Sequence, residues 1–162
     1  MRIPAPIETE RHRELVRRVE DALDSWRRFM IGVDGVEGAG KSALAGYLGW
    51  RLGMPAVHTD MFLAPGQERP QAGKWPRYRL PELRAVIDSR LDRGKPVIVE
   101  GVCLLNTLTE IGLSANYLIY VEQEGHDGGL AFEGMRKKYS EQYSPLKGAN
   151  EVFKWSPPDL ET

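Results

Sequence analysis

The segment Gly35-Val36-Glu37-Gly38-Ala39-Gly40-Lys41-Ser42 matches the pattern G-x-x-x-x-G-K-[ST] in full. Each part of that pattern has a chemical reason. Glycines let the backbone turn tightly, so that successive N–H groups point inward at phosphate oxygens. A helix beginning at Lys41 adds free N–H groups, through Ala43, and the positive end of its dipole. Lys41 can reach the β- and γ-phosphates of a nucleoside triphosphate, and the Ser42 hydroxyl can ligate Mg²⁺. At average residue frequencies, a chance match in a chain of this size is roughly a one-in-two-hundred event. The spacing of Gly35, Gly38 and Gly40 is not G-x-G-x-x-G, so a dinucleotide fingerprint does not compete. The segment predicts a phosphate loop with a catalytic lysine.

Three acidic residues close apolar runs: Asp34, Asp60 and Glu100. In a parallel sheet, ligands bind beyond the carboxyl ends of the strands. Asp60 is the best placed to engage an acceptor hydroxyl, orienting it and taking its proton during phosphoryl transfer. Glu100 ends Val97-Ile98-Val99 in the Walker-B position, where a carboxylate holds Mg²⁺ directly or through water. The plainer alternative for each is a helix cap or a solvated acid, and it weighs most for Asp34.

Trp75, Arg77, Tyr78 and Arg79 follow a long Pro- and Gly-rich stretch. Flat rings stack on Trp and Tyr, and Arg binds phosphate or carboxylate through two N–H groups, so these residues are candidates for an acceptor pocket. Aromatic pinning of a loop explains them equally well. Arg136, Lys137 and Lys138 form a basic cluster that can act as a short lid over the transferred phosphoryl group; a solvated helix face is the alternative. His12, His58 and His126 have no metal-ligand spacing, and His58, on a strand, reads as a core histidine. Cys103 reads as buried and inert.

These residues must be held by a scaffold. Leu15, Val19, Leu23 and Trp26 fall at helical spacing within Thr9 to Arg27. Phe29 to Val33 reads as a buried strand, Lys41 to Leu52 as a helix stopped by Gly53 and Pro55, and Ala56-Val57-His58 as a second strand. A loop then runs through Tyr78. Pro81 opens a helix stopped at Gly94, followed by strands at Val97-Ile98-Val99 and Tyr117 to Val121. A helix over about Leu130 to Gln142 and a short strand Glu151-Val152-Phe153 complete the chain. Strands alternating with helices imply a parallel α/β sheet.

The 162 residues suit one domain spanning 1–162, with 1–28 as an N-terminal helical extension packed on it. Lys and Arg number 22 against 23 Asp and Glu, so no global field favours nucleic acid or an anionic membrane, and phosphate binding must be local. No apolar run approaches the ~20 residues that span a bilayer. The N-terminus lacks a signal-peptide pattern, and the lone Cys103 suits a reducing compartment. These features predict a cytoplasmic protein acting on a small molecule. No D-x-x-G follows the loop and no [NT]-K-x-D occurs, which argues against a switch GTPase.

The chain resembles the uridine kinase and phosphoribulokinase group of P-loop kinases. The resemblance is carried by Ile31-Gly32-Val33-Asp34-Gly35 running into the loop, by Val57-His58-Thr59-Asp60-Met61-Phe62, and by Val97-Ile98-Val99-Glu100-Gly101 with the aliphatic residues after it. A weaker echo is Tyr143-Ser144-Pro145. It implies a P-loop NTPase fold, three-layer α/β/α, with a parallel five-stranded sheet in the order 2-3-1-4-5, to which the helix over Thr9 to Arg27 is an extra N-terminal element. It implies ATP with Mg²⁺, transfer to a primary hydroxyl, Asp60 as general base and Phe62 at the substrate pocket. The chain departs from the group in three places. Gly94-Lys95-Pro96 leads straight into Val97 without room for a substrate hairpin, Leu63 stands where Tyr is common, and the Arg-rich lid signature is missing. The reading is an ATP-dependent phosphotransferase acting on a small-molecule hydroxyl, a nucleoside being one candidate. The alternative is a non-catalytic or regulatory ATP-binding protein.

Overall fold

A computed structural model describes residues 8–67 and 74–156. The middle of the long loop, at 68–73, lies outside the described residues.

The first helix, α1 (Glu10–Leu23), buries Leu15, Val16, Val19 and Leu23. It ends before the Arg27 expected from its apolar spacing, because Asp24 turns the backbone to φ 60°. Trp26, the last member of the expected stripe, is 51% exposed. Strand β1 (Met30–Gly35) is buried along its whole length and leads into α2 (Lys41–Leu52). The short β2 (Ala56–His58) passes into a 3₁₀ turn, Thr59–Phe62. Then follow α3 (Leu80–Leu91), β3 (Val97–Glu100), α4 (Leu104–Glu110) and β4 (Tyr117–Gln123). A 3₁₀ turn at Leu130–Phe132, α5 (Glu133–Tyr143), α6 (Pro145–Gly148) and β5 (Glu151–Trp155) complete the described chain.

The five strands are all parallel, in the order β2-β3-β1-β4-β5. This is the order that the resemblance implies. Alternation along the central strands sends their side chains to two cores. Ile31, Val33, Ile98, Ile119 and Val121 meet Leu15, Val19, Leu44 and Leu48 of α1 and α2. Met30, Val97 and Val99 meet Leu83, Ile87, Leu104 and Leu108 of α3 and α4. Burial on both faces makes the central strands read as continuous apolar runs rather than alternating ones. The sheet is thus a middle layer between two helical layers.

Two details were not legible beforehand. Helix α4 is short and follows the apolar run of β3 so closely that no separate period marks it; Cys103, at φ 52°, makes the turn between them. The helix expected over Leu130 to Gln142 is instead a 3₁₀ turn followed by α5. The long loop is tied at its ends by an antiparallel Leu63–Tyr78 bridge. Ala64 N donates to Arg77 O (2.8 Å) and Arg79 N donates to Phe62 O (2.7 Å).

Candidate active site

β1 lies between β3 and β4, so the chain reverses its direction of sheet growth there and leaves a crevice at the strand's carboxyl end. The Gly35–Ser42 segment fills it. Gly35, Gly38 and Gly40 all have positive φ, which turns the loop back on itself before α2 begins. Lys41 is buried, and its ammonium donates to the Val36 carbonyl (2.7 Å). Burial pushes the Lys41 pKa down, while Glu100, Asp34 and Glu37 act in the other direction. Ser42 and Ala43 are exposed at the helix start.

Glu100 stands at the carboxyl end of β3, 3% exposed. Its Oε1 accepts a hydrogen bond from the Ser42 hydroxyl (2.8 Å). The same oxygen pairs with His58 Nδ1 at 2.7 Å. The expectation for His58 was a core histidine; its side chain is 28% exposed and belongs to this cluster. The Ser42 hydroxyl and Glu100 carboxylate are hard oxygen donors placed together, which fits Mg²⁺. No group of three or more His, Cys, Asp or Glu suited to a metal occurs among the described residues.

Asp34 is fully buried on the opposite face of β1 from Val33. Its carboxylate accepts from Gly35 N (2.8 Å), Leu104 N (3.4 Å) and the Tyr139 hydroxyl. Burial pushes its pKa up to about 6, against the pull of the Tyr139 hydrogen bond. Asp34 thus ties the loop entrance to α4 and α5. Cys103, beside this cluster, is buried and its thiol is pushed up to about 12 by desolvation, so it is a poor nucleophile.

Asp60 is exposed on the 3₁₀ turn directly after β2. The Leu63–Tyr78 bridge brings Phe62 and Tyr78 back beside that turn, and the Thr59 hydroxyl donates to Tyr78 Oη at 3.4 Å. Desolvation pushes the Tyr78 phenol up to about 12. Arg77 is exposed. Trp75 goes elsewhere: it packs edge-on against Tyr139 (6.1 Å between centroids), in the cluster that contains Cys103 and Met135. Gly101 makes the β2 end compact, because a methyl group there would collide with the Thr59 hydroxyl.

Of the basic cluster, Arg136 is half-buried and ion-paired with Glu37 of the phosphate loop, whereas Lys137 is exposed. A cavity of about 390 Å³ opens between α5 and the loop entrance, lined in part by Val36, Cys103, Tyr120, Arg136 and Lys137. Three loop contacts were not anticipated. Gly129 N donates to Glu37 Oε1 (2.5 Å), His126 Nε2 pairs with Glu37 O (2.7 Å), and the Trp155 indole N–H donates to Ala39 O (2.7 Å). Only the short apolar run before Trp155 pointed toward an element there, and nothing in it showed contact with the loop.

With this geometry in view, solved structures give the comparison. The chain is similar to a possible uridine kinase from Bacillus stearothermophilus, at 17% identity and a TM-score of 0.63, covering 89% of this chain and 97% of that one. It is also similar to the kinase domain of the Escherichia coli tyrosine kinase ETK, at 14% identity and a TM-score of 0.56, covering 93% and 76%. A sugar kinase from Janibacter sp. HTCC2649 aligns at 16% identity and a TM-score of 0.50, covering 79% and 84%. The fold is the P-loop NTPase fold, three-layer α/β/α with the strand order 2-3-1-4-5. At these identities the likeness extends to architecture and leaves the acceptor open. No protein-family model matches the sequence, and no curated protein sequence matches it. Lys41, Ser42 and Glu100 meet at one end of the sheet, with Asp60 on the turn that follows the neighbouring β2. No helix among the described residues is long and apolar enough to cross a membrane.

Proposed function

We propose that this chain is an ATP-dependent phosphotransferase that moves the γ-phosphoryl group to a hydroxyl of a small molecule. The observation that carries the reading is the Ser42–Glu100 hydrogen bond at the start of α2, directly after a complete phosphate loop. The N–H groups from Gly35 to Ala43 bind the phosphates, and the Lys41 ammonium exchanges the Val36 carbonyl for β- and γ-phosphate oxygens. Ser42 and Glu100 would hold Mg²⁺, which when bound would neutralise phosphate charge. Asp60 orients the acceptor hydroxyl and takes its proton as the new O–P bond forms and the β–γ bridging bond breaks. Phe62 and Tyr78 wall the acceptor side, with Arg77 at its rim. A nucleoside is one candidate acceptor. Arg136 and Lys137 face the loop from α5, where positive charge stabilises the transferring group. A reducing cytoplasm suits this role and the lone, buried Cys103.

The test is ADP release measured against a panel of nucleosides, sugars, vitamins and small alcohols, for the wild type and Asp60→Asn. Acceptor-dependent release is expected in the wild type. In the variant, turnover is expected to fall by about 10²–10⁴-fold, with ATP affinity retained. Full acceptor-dependent activity in Asp60→Asn would remove Asp60 from the mechanism.

A second reading is a non-catalytic ATP-binding protein. The observation favouring it is that Glu37 already neutralises Arg136, the lid cation nearest the loop. That reading predicts tight ATP binding and no phosphorylation anywhere on the panel.

A further inference from the structure

We propose that His58 is a positioning residue for the candidate metal site: it fixes the Glu100 carboxylate in the rotamer that faces Ser42. The register of the sheet places it there. His58 is the direct partner of Glu100 across β2 and β3, and Val33 is its partner across β1 and β3. Directly paired residues in a parallel ladder put their side chains on the same face, here the face that carries α2. Glu100 is buried, but a glutamate has three rotatable side-chain bonds, and burial alone does not choose among its rotamers.

Two hydrogen bonds make the choice, and both fall on Oε1. They are not equivalent. The Ser42 hydroxyl is itself a metal ligand in the reading above, so its bond to Glu100 is given up or redirected when it serves that role. The His58 bond is independent of Ser42. His58 comes from the adjacent strand, and its Nδ1 sits 2.7 Å from Oε1. To donate to a carboxylate, Nδ1 must carry a proton. A ligating carboxylate held by an outer partner in this way typically loses 10- to 100-fold in metal affinity when the partner is removed.

The inference rests on the assignment of Ser42 and Glu100 as metal ligands, and its experiment separates the two. ADP affinity is measured by calorimetry with excess Mg²⁺ and with EDTA, for the wild type, His58→Asn, His58→Gln and His58→Phe, with thermal melts as a fold control. Asn carries its amide nitrogen at the level of Nδ1 and can reproduce the bond. Gln carries it one atom further out, at the level of Nε2, and cannot. The expected result is wild-type-like ADP affinity in EDTA for all three variants. The Mg²⁺-dependent gain should be kept in His58→Asn and reduced by about tenfold or more in His58→Gln and His58→Phe. Both amide variants keep a polar side chain of similar bulk, so a test remains should His58→Phe fail to fold. Equal behaviour of the Asn and Gln variants, or equal losses with Mg²⁺ and with EDTA, would overturn the role of His58 alone. A wild type that binds ADP with no Mg²⁺-dependent gain would overturn the ligand assignment and this inference with it. A wild type that binds no ADP would overturn the nucleotide reading itself.

Discussion

The Tyr139 hydroxyl donates to the buried Asp34 carboxylate, joining the middle of α5 to the strand that enters the phosphate loop. The other carboxylate oxygen takes the Gly35 N–H, the first of the loop, and the Leu104 N–H that opens α4. Trp75 stacks edge-on against the same Tyr139 ring, so the end of the long acceptor-side loop reaches the phosphate loop through two side chains.

This buried acid gives the fold a pH dependence with a defined sign. Asp34 has a folded-state pKa raised to about 6 from 3.8, so between those values the folded state binds more protons than the unfolded one. Stability contributed by this group is therefore full below about pH 4 and is lost as pH rises through about 6. The shift corresponds to about 3 kcal/mol. Denaturant midpoints of the wild type and Asp34→Asn, taken from pH 4 to 7, should show that difference as a steeper fall in the wild type. Parallel curves would mean that the carboxylate is not the titrating group.

Lys41 donates to the Val36 carbonyl and is otherwise desolvated. Replacing it with Ala removes the ammonium at the start of α2. Hydrogen bonds to charged groups are worth about 1.5–3 kcal/mol, so ATP affinity should fall roughly 10- to 100-fold. ADP should lose less, because it lacks the γ-phosphate. Calorimetric titrations of both nucleotides give the comparison, and an equal loss for the two would place the ammonium away from the γ-phosphate.

Glu37 anchors the segment that follows β4, accepting from Gly129 N and from the Arg136 guanidinium. In Glu37→Ala the Gly129 amide loses its acceptor. Hydrogen exchange at Gly129 should accelerate by about fivefold, the equivalent of one net hydrogen bond near 1 kcal/mol. The α2 amides should be unaffected. Unchanged protection at Gly129 would show that the segment is held by something other than Glu37.

Gly101 follows Glu100 directly, and a Cβ at Gly101 would collide with the Thr59 side chain. Overpacking of this kind costs about 1–3 kcal/mol. Gly101→Ala should be destabilised by that amount, and Thr59→Ala should offset part of the loss when the two are combined. A double-mutant cycle by chemical denaturation measures the coupling, and strict additivity would show that the two positions do not touch.

Much of this was available from residue types and local order. Gly35 to Ser42 specifies its own turn, because the glycines supply positive φ and Lys41 starts a helix at the same point. The apolar runs at Ile31, Ile98 and Ile119 announce strands buried on both faces, since side chains on either side of the sheet must meet a helix. Asp34, Asp60 and Glu100 were visible as strand-end acids, but their different fates were not. Asp34 points to the α4 and α5 side, Glu100 to the α2 side, and Asp60 to solvent. Which way each side chain points depends on pleat phase and strand neighbour, and a linear chain does not state them.

The sequence by itself determined the phosphate loop, the alternation of strands and helices, and the acids that end the strands. Each depends on residues within a few positions of one another. The tertiary structure decided the rest: that His58 meets Glu100, that Trp155 and His126 brace the loop, and that Arg136 closes on Glu37. These pairs lie from 42 to 116 residues apart. They come together only because β2 lies beside β3, and β4 and β5 flank β1 on the other side. Sheet order, a property of the whole chain, turns scattered polar residues into one site.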